Sequence, residues 1–240
     1  MTLLTRTTTL PISRSDSSAL PRADDAPSPK VAPPADRRSR SAARTAKRGV
    51  DVLGALVGLI LLFPVFLAIA LLVRLDSAGS PIYRQVRVGR DGRAFSIVKF
   101  RTMHLDSDAR LAELKRRHRA DGPLFKLEAD PRVTPVGAVL RRFSLDELPQ
   151  LWNVLRGDMS LVGPRPALPC EVATYCARAA RRLEAVPGMT GPWQVGGRST
   201  LTWEDGLALD LDYVDRWSLG YDVVVLLKTV RAVLLPVGAY

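Results

Sequence analysis

Apolar and polar positions divide the chain into segments of different character. Residues 1–42 have no helical or strand periodicity, and the run PSPKVAPPADRRSRS within them is dominated by Pro, Ser, Ala and Arg. Such a composition buries too little apolar surface to offset the entropy of ordering, so 1–42 reads as a disordered basic tail. The pattern then changes abruptly to VDVLGALVGLILLFPVFLAIALLV, residues 50–73, whose only charge is Asp51. A straight helix of that length runs about 36 Å against a hydrocarbon core of about 30 Å, which makes residues 43–75 a membrane segment. Pro64 falls near its middle. It has no N–H for the Ile60 carbonyl, and its ring crowds the preceding turn, so a break is predicted there.

Charge bears on how that segment sits. Arg44, Lys47 and Arg48 flank one end and Arg74, Arg84, Arg87 and Arg90 the other. Positive residues prefer the cytoplasmic side, so a spanning helix would export one cluster, whereas a re-entrant hairpin turning at Pro64 exports neither. From these residues alone, the hairpin and a kinked single pass remain about equally good readings.

Residues 76–240 read as a small cytoplasmic domain. SPIYRQVRVGRDGRAFSIVKFRTM predicts two strands around Gly89-Arg90-Asp91-Gly92. By the period of two, Phe95, Ile97, Lys99 and Arg101 share a face, with the two cations roughly 7 Å apart, a spacing that suits a diphosphate and also a solvated strand end. Ser107–Ala120 is charged and helix-prone. Leu148, Leu151, Trp152 and Leu155 repeat at i, i+3, i+4 and i+7, one apolar helical face. WSLGYDVVVLLKTVRAVLL interleaves apolar residues with Lys228 and Arg231, as an amphipathic helix lying at an interface would. The fold class expected is α+β, mainly helical: a membrane helix interrupted at Pro64, a small domain with a short β-hairpin, and amphipathic interfacial helices.

The formal charge of +11 invites an anionic partner. More than half of it comes from residues 1–49, with ten Lys or Arg against four Asp. The tail has no aromatic residue for base stacking and the chain has no helix-turn-helix, RNP-like or zinc-finger pattern, which points away from nucleic acid. Two cysteines, Cys170 and Cys176, and two histidines, His104 and His118, match no zinc spacing, and so few cysteines suit a reducing compartment. No Gly-rich phosphate loop occurs in a strand-to-helix context.

Chemistry concentrates in SLDELPQLWNVLRGDMSLVGPRP, residues 144–166. Ser144 and Glu147 fit an S-x-x-E capping box, a structural reading that taken alone is the stronger one. Asp146 and Glu147 are also adjacent carboxylates, able to act as nucleophile or to hold a hard cation. Arg141 and Arg142 precede them, and Arg165 follows between two prolines that restrict its backbone. A guanidinium grips phosphate through paired hydrogen bonds.

FSLDELPQLWNVLRGDMSLVGPRP, with VKFRTM upstream and PGMTGPWQVGGRS and DLDYVDRWS downstream, closely resembles the bacterial sugar transferases, the monotopic polyprenyl-phosphate phosphoglycosyl transferases, over about Lys47 to Val233. The resemblance implies transfer of a sugar 1-phosphate from a UDP-sugar to a polyprenyl phosphate such as undecaprenyl phosphate, with release of UMP, Mg2+ as cofactor and a covalent aspartyl intermediate. It implies Asp146 as nucleophile and metal ligand, Glu147 as its partner, and Arg165, Arg141, Lys99 and Arg101 as phosphate or nucleotide contacts. It favours a re-entrant helix broken at Pro64, on the cytoplasmic face of the bacterial inner membrane. Phe63 stands where many members have Ser, and the tail takes the place of the spanning helices of larger forms. The GGRS, WEDG and DYVDRWS blocks resemble the exopolysaccharide-initiating branch, which implies glucose or galactose. A basic membrane-anchored scaffold for polysaccharide assembly is the non-enzymatic alternative, and pairing of two chains as a homodimer stays open.

Overall fold

The computed structural model describes residues 37–107, 109, 130–197 and 201–234, all within the compact unit 37–240. The disordered-tail reading for residues 1–36 and nearly all of the helix expected over Ser107–Ala120 lie outside these. Helix α1 (Arg37–Leu61) starts ahead of residue 43 and takes in 37–42, which the sequence reading gave to the tail.

Helix α2 (Phe63–Asp76) follows α1 after a single residue. The pair is bent by 62° at the break, next to Pro64, which occupies the first turn of α2. Helical bonding resumes at once on either side, Leu62 N–H to the Gly58 carbonyl at 2.9 Å and Phe66 N–H to the Leu62 carbonyl at 2.8 Å. The result is an open V. Among the described residues no single helix is long and apolar enough to cross a membrane; only this bent pair meets that test, by length and composition.

Both arms of the V are tied to the rest of the domain. Asp51, the lone charge of the apolar run, is buried and accepts from Ser160 Oγ (3.0 Å) and Leu161 N–H (2.9 Å). Arg48 donates to the carbonyls of Val154 and Leu155 at 2.6 and 2.8 Å. Lys47 meets Asp222 at 2.6 Å, where Tyr213 and Trp217 also donate. At the far end, Asp76 accepts from Val136 N–H at 3.3 Å. The outer side stays apolar and open: Leu53, Ile60, Leu61, Phe63, Leu67 and Leu71 are exposed.

Strands β1 (Ile82–Val88) and β2 (Ala94–Phe100) form the expected antiparallel hairpin, with Arg87 opposite Phe95 and Tyr83 opposite Lys99. Helix α3 (Pro135–Arg142) begins with Thr134 Oγ1 accepting from Gly137 N–H at 3.0 Å and proline in its first turn. Gly137 is required by closeness: a Cβ there would lie 2.2 Å from the Thr102 carbonyl oxygen. Leu140 packs on Ile69 and Val73 of α2 and on Phe100.

A 3-10 segment (Leu145–Gln150) leads into helix α4 (Leu151–Arg156). The single apolar face expected over Leu148–Leu155 is therefore not formed. Three residues per turn before Leu151 shift the phase, so Val154 is buried while Trp152 is 51% exposed. Asn153 locks this segment to the sheet: it accepts from Val98 N–H at 3.0 Å and donates to the Ser96 carbonyl at 2.8 Å, occupying the free edge of β2.

Strand β3 (Ser160–Val162) pairs in parallel with β4 (Gly188–Thr190), a contact the sequence reading did not foresee. The backbones meet so closely that a Cβ on Gly188 would sit 2.0 Å from Gly163 N. The short helices α5 (Pro169–Val172) and α6 (Ala177–Ala180) precede β4 in the chain, and α7 (Pro192–Gly196), α8 (Trp203–Arg216) and α9 (Leu219–Leu234) follow it. Helix α9 buries Val225 and exposes Val223, Leu227, Val230 and Leu234. The described residues are thus mainly helical with two small sheets, which agrees with the α+β expectation.

Candidate active site

Asp146 and Glu147 lie in the first turn of the 3-10 segment, two and three residues after Ser144. The capping box does not form. Ser144 takes a left-handed conformation, φ 56°, its side chain caps nothing, and only its carbonyl meets Glu147 N–H, at 3.3 Å. Glu147 instead receives the ammonium of Lys99 at 2.6 Å. A left-handed Ser differs from the extended backbone of an N-cap, and a nearby cation outcompetes a neutral N–H for a carboxylate.

Asp146 is the more buried of the two, 9% exposed. Burial, and then the Glu147 carboxylate, push its pKa up from 3.8 to about 6, while Lys99 and Arg141 pull the other way. Arg141 is placed by Thr102, whose Oγ1 accepts from Nε at 2.9 Å. Its own pKa is lowered, chiefly by burial, with Asp146 opposing. The next residue, Arg142, is exposed, over the ring of Phe143.

Lys99 and Arg101 have different partners, Glu147 for the first and backbone carbonyls for the second. The strand ends at Phe100, and Arg101 is buried, donating to the carbonyls of Ser80 (2.7 Å) and Ser77 (2.8 Å) just beyond α2. These bonds hold the end of the helical V, and the Arg101 N–H continues the hairpin pairing to the Pro81 carbonyl at 2.8 Å.

Arg165 extends from the Pro-Arg-Pro turn after β3 and meets Glu171 at 3.2 Å. That turn is held on several sides. Glu171 accepts from Leu168 N–H at 2.7 Å, Val88 N–H donates to the Ala167 carbonyl at 2.9 Å, and Arg182 donates to the Arg165 carbonyl at 3.3 Å. Arg182 is itself buried against Asp210 at 2.6 Å and stacked on Tyr175, Trp193 and Trp203. Burial pushes Asp210 up to about 6 even beside that guanidinium.

Arg87 connects the two halves of the site. It donates to the Pro166 carbonyl at 3.1 Å and to Gln85 at 2.6 Å, and its Nε is buried with no hydrogen-bond partner among the described residues. Burial and Arg165 lower its pKa to about 10, and Glu171 and Glu147 both work against that fall, so it feels the acidic pair and the Pro-Arg-Pro turn together. The signal was in the hairpin register: Arg87 and Lys99 lie on the same face, because cross-strand partners do. Glu171, Arg182 and Asp210 have no comparable local signal.

Among the described residues no group of three or more His, Cys, Asp or Glu side chains gathers into a metal site. Two adjacent carboxylates, one of them buried and resisting ionisation, fit Mg2+ all the same, since that ion is held by one or two carboxylates and completes its shell with water and substrate phosphates. Cys170 and Cys176 are both free and exposed.

The family model described as bacterial sugar transferase matches residues 42–236. The chain belongs to that family. It is 46% identical over 199 residues to the exopolysaccharide production protein ExoY of Rhizobium meliloti (strain 1021), covering 81% of this chain and 88% of the relative. It is 45% identical over 206 residues to a UDP-galactose-lipid carrier transferase of Erwinia amylovora, 84% of this chain but 43% of that longer protein. To the UDP-glucose:undecaprenyl-phosphate glucose-1-phosphate transferase of Caulobacter vibrioides (strain ATCC 19089 / CIP 103742 / CB 15) the identity is 43% over 204 residues, 81% of this chain and 72% of the relative. In this bacterial sugar transferase the matched region takes in the helical V, the acidic pair and the Pro-Arg-Pro turn alike.

Proposed function

We propose that the protein transfers glucose or galactose 1-phosphate from a UDP-sugar to undecaprenyl phosphate, releasing UMP, and so starts an exopolysaccharide or related glycan. The observation that carries this reading is the buried Asp146 beside Glu147, countered by Lys99 and Arg141, on a domain whose neighbouring helices expose a broad apolar surface. The relatives named for galactose and glucose transfer supply the substrate class.

The ionised Asp146 oxygen attacks the phosphorus that bears the sugar. The bond from that phosphorus to the oxygen of UMP breaks, and UMP leaves with the electron pair. An oxygen of undecaprenyl phosphate then attacks the same phosphorus and expels the Asp146 carboxylate, leaving a sugar diphospholipid. One carboxylate thus serves both substrates in turn. Lys99 keeps Glu147 oriented beside the nucleophile, while Arg141 and Arg165 stabilise negative charge on the transferring group. Mg2+, held by Asp146, would offset the repulsion between carboxylate and diphosphate.

The helical V is read as a re-entrant membrane segment on the cytoplasmic side of the inner membrane. Both of its arms hydrogen-bond to one domain, which supports an entry and exit on the same face. The experiment is UMP release against a panel of UDP-sugars with undecaprenyl phosphate, and mass spectrometry of protein trapped without acceptor. Wild type should carry a hexose phosphate on Asp146, and Asp146→Asn should release no UMP. Unchanged release from Asp146→Asn would remove the mechanism, and absence of UMP release from wild type with every UDP-sugar would leave the scaffold reading.

A further inference from the structure

Helix α3 has two unlike faces. Its inner face, Val136 and Leu140, packs on α2 and Phe100. Its outer face exposes Val139 (56%) and the capping residue Phe143 (39%), four positions apart and therefore stacked along one side of the helix. Between them in sequence stands the exposed Arg142, with its guanidinium 5.7 Å from the Phe143 ring centroid. Three residues beyond Phe143 the chain reaches Asp146. An apolar pair would ordinarily be a small surface patch needing no comment. Here it lies on the helix that packs against α2 and leads into the segment bearing Asp146, and it carries a cation at that C-terminal end.

We propose that this face of α3 docks the acceptor: the first isoprene units lie on Val139 and Phe143, and the acceptor phosphate is met by Arg142 on its way to Asp146. The inference rests on the transfer reading above and assigns its second substrate a place. The argument is charge complementarity. A monophosphate on an unsaturated hydrocarbon presents one anionic end and one apolar tail, and the face offers a guanidinium beside an aromatic and a branched aliphatic side chain. The donor, a soluble nucleotide sugar, has no use for the apolar part. The two arginines thereby divide the work, Arg141 turned to Asp146 through Thr102 and Arg142 outward.

The two half-reactions separate the possibilities. In full-length protein, Val139→Ser/Phe143→Ser and, separately, Arg142→Gln should form the hexose phosphate adduct on Asp146 from UDP-sugar alone at a rate within about twofold of wild type. The double variant should raise the KM for undecaprenyl phosphate in detergent at least fivefold, and less for a five-carbon prenyl phosphate, which has little tail to lose. Arg142→Gln should raise the KM for both acceptors alike. Unchanged acceptor KM in both variants would overturn the proposal, as would a loss confined to binding of anionic phospholipid vesicles with acceptor KM in detergent intact, since the face would then be a bilayer contact. Absence of an adduct in wild type would sink the two-step reading, while a raised acceptor KM would still stand for this surface.

Discussion

In the proposed mechanism the chemistry turns on Asp146, and its burial has a consequence for pH. With a pKa near 6 the carboxylate holds a proton below that pH and cannot attack, so adduct formation should fall about tenfold per unit as pH drops below 6, read by quenched-flow mass spectrometry. For stability the sign is opposite. Its folded pKa lies above the unfolded value of 3.8, so its favourable contribution is complete below about 3.8 and is lost as pH rises through 6. Asp146→Asn should therefore be more stable than wild type at pH 8, by about 2 kcal/mol in chemical denaturation. Arg87 acts differently, by holding the Pro166 carbonyl from the end of β1. Arg87→Lys keeps the charge but not the fork, so it should raise donor KM several-fold with kcat little changed, whereas Arg87→Met should lower both kcat and kcat/KM. The acidic pair, Lys99, Arg141 and Arg165 were legible from residue type and motif. Arg87 needed the hairpin register, and the structural fate of Arg101 needed coordinates, because the strand's end cannot be read from alternation alone.

Elements were legible where their signal is local. The β1–β2 hairpin carries its own turn, and the helix break carries its own proline. Errors came where tertiary contacts override a repeat: the Leu148–Leu155 periodicity dissolved into a 3-10 turn followed by a short helix, because Lys99 claims Glu147 and Asn153 must reach β2. That last contact is testable. Asn153→Ala removes the partner of the Val98 N–H and of the Ser96 carbonyl in a part-buried setting, at a cost of about 1 kcal/mol per lost hydrogen bond. Equilibrium denaturation should show that loss, and amide exchange at Val98 should accelerate more than exchange at the other strand residues.

For the molecule as a whole, the proposed re-entrant placement of the apolar V is open to a direct test. With Cys170 and Cys176 replaced by Ser, a cysteine introduced at Ala46 and another introduced at Ala78 should both be shielded from an impermeant thiol reagent in intact cells and both react after lysis. Labelling at one end only would indicate a span. The sequence by itself determined the family, the carboxylate pair, the basic residues around it and the proline that interrupts an apolar run, since each depends on residue type and short spacing. Only the tertiary structure decided that Asp51 and Lys47 anchor the first arm, that Arg101 ties down the second, and that Arg182, Asp210 and Glu171 brace the Pro-Arg-Pro turn. Those contacts join residues up to 175 positions apart, and a buried charge finds its partner through the packing of whole elements, which no local pattern encodes.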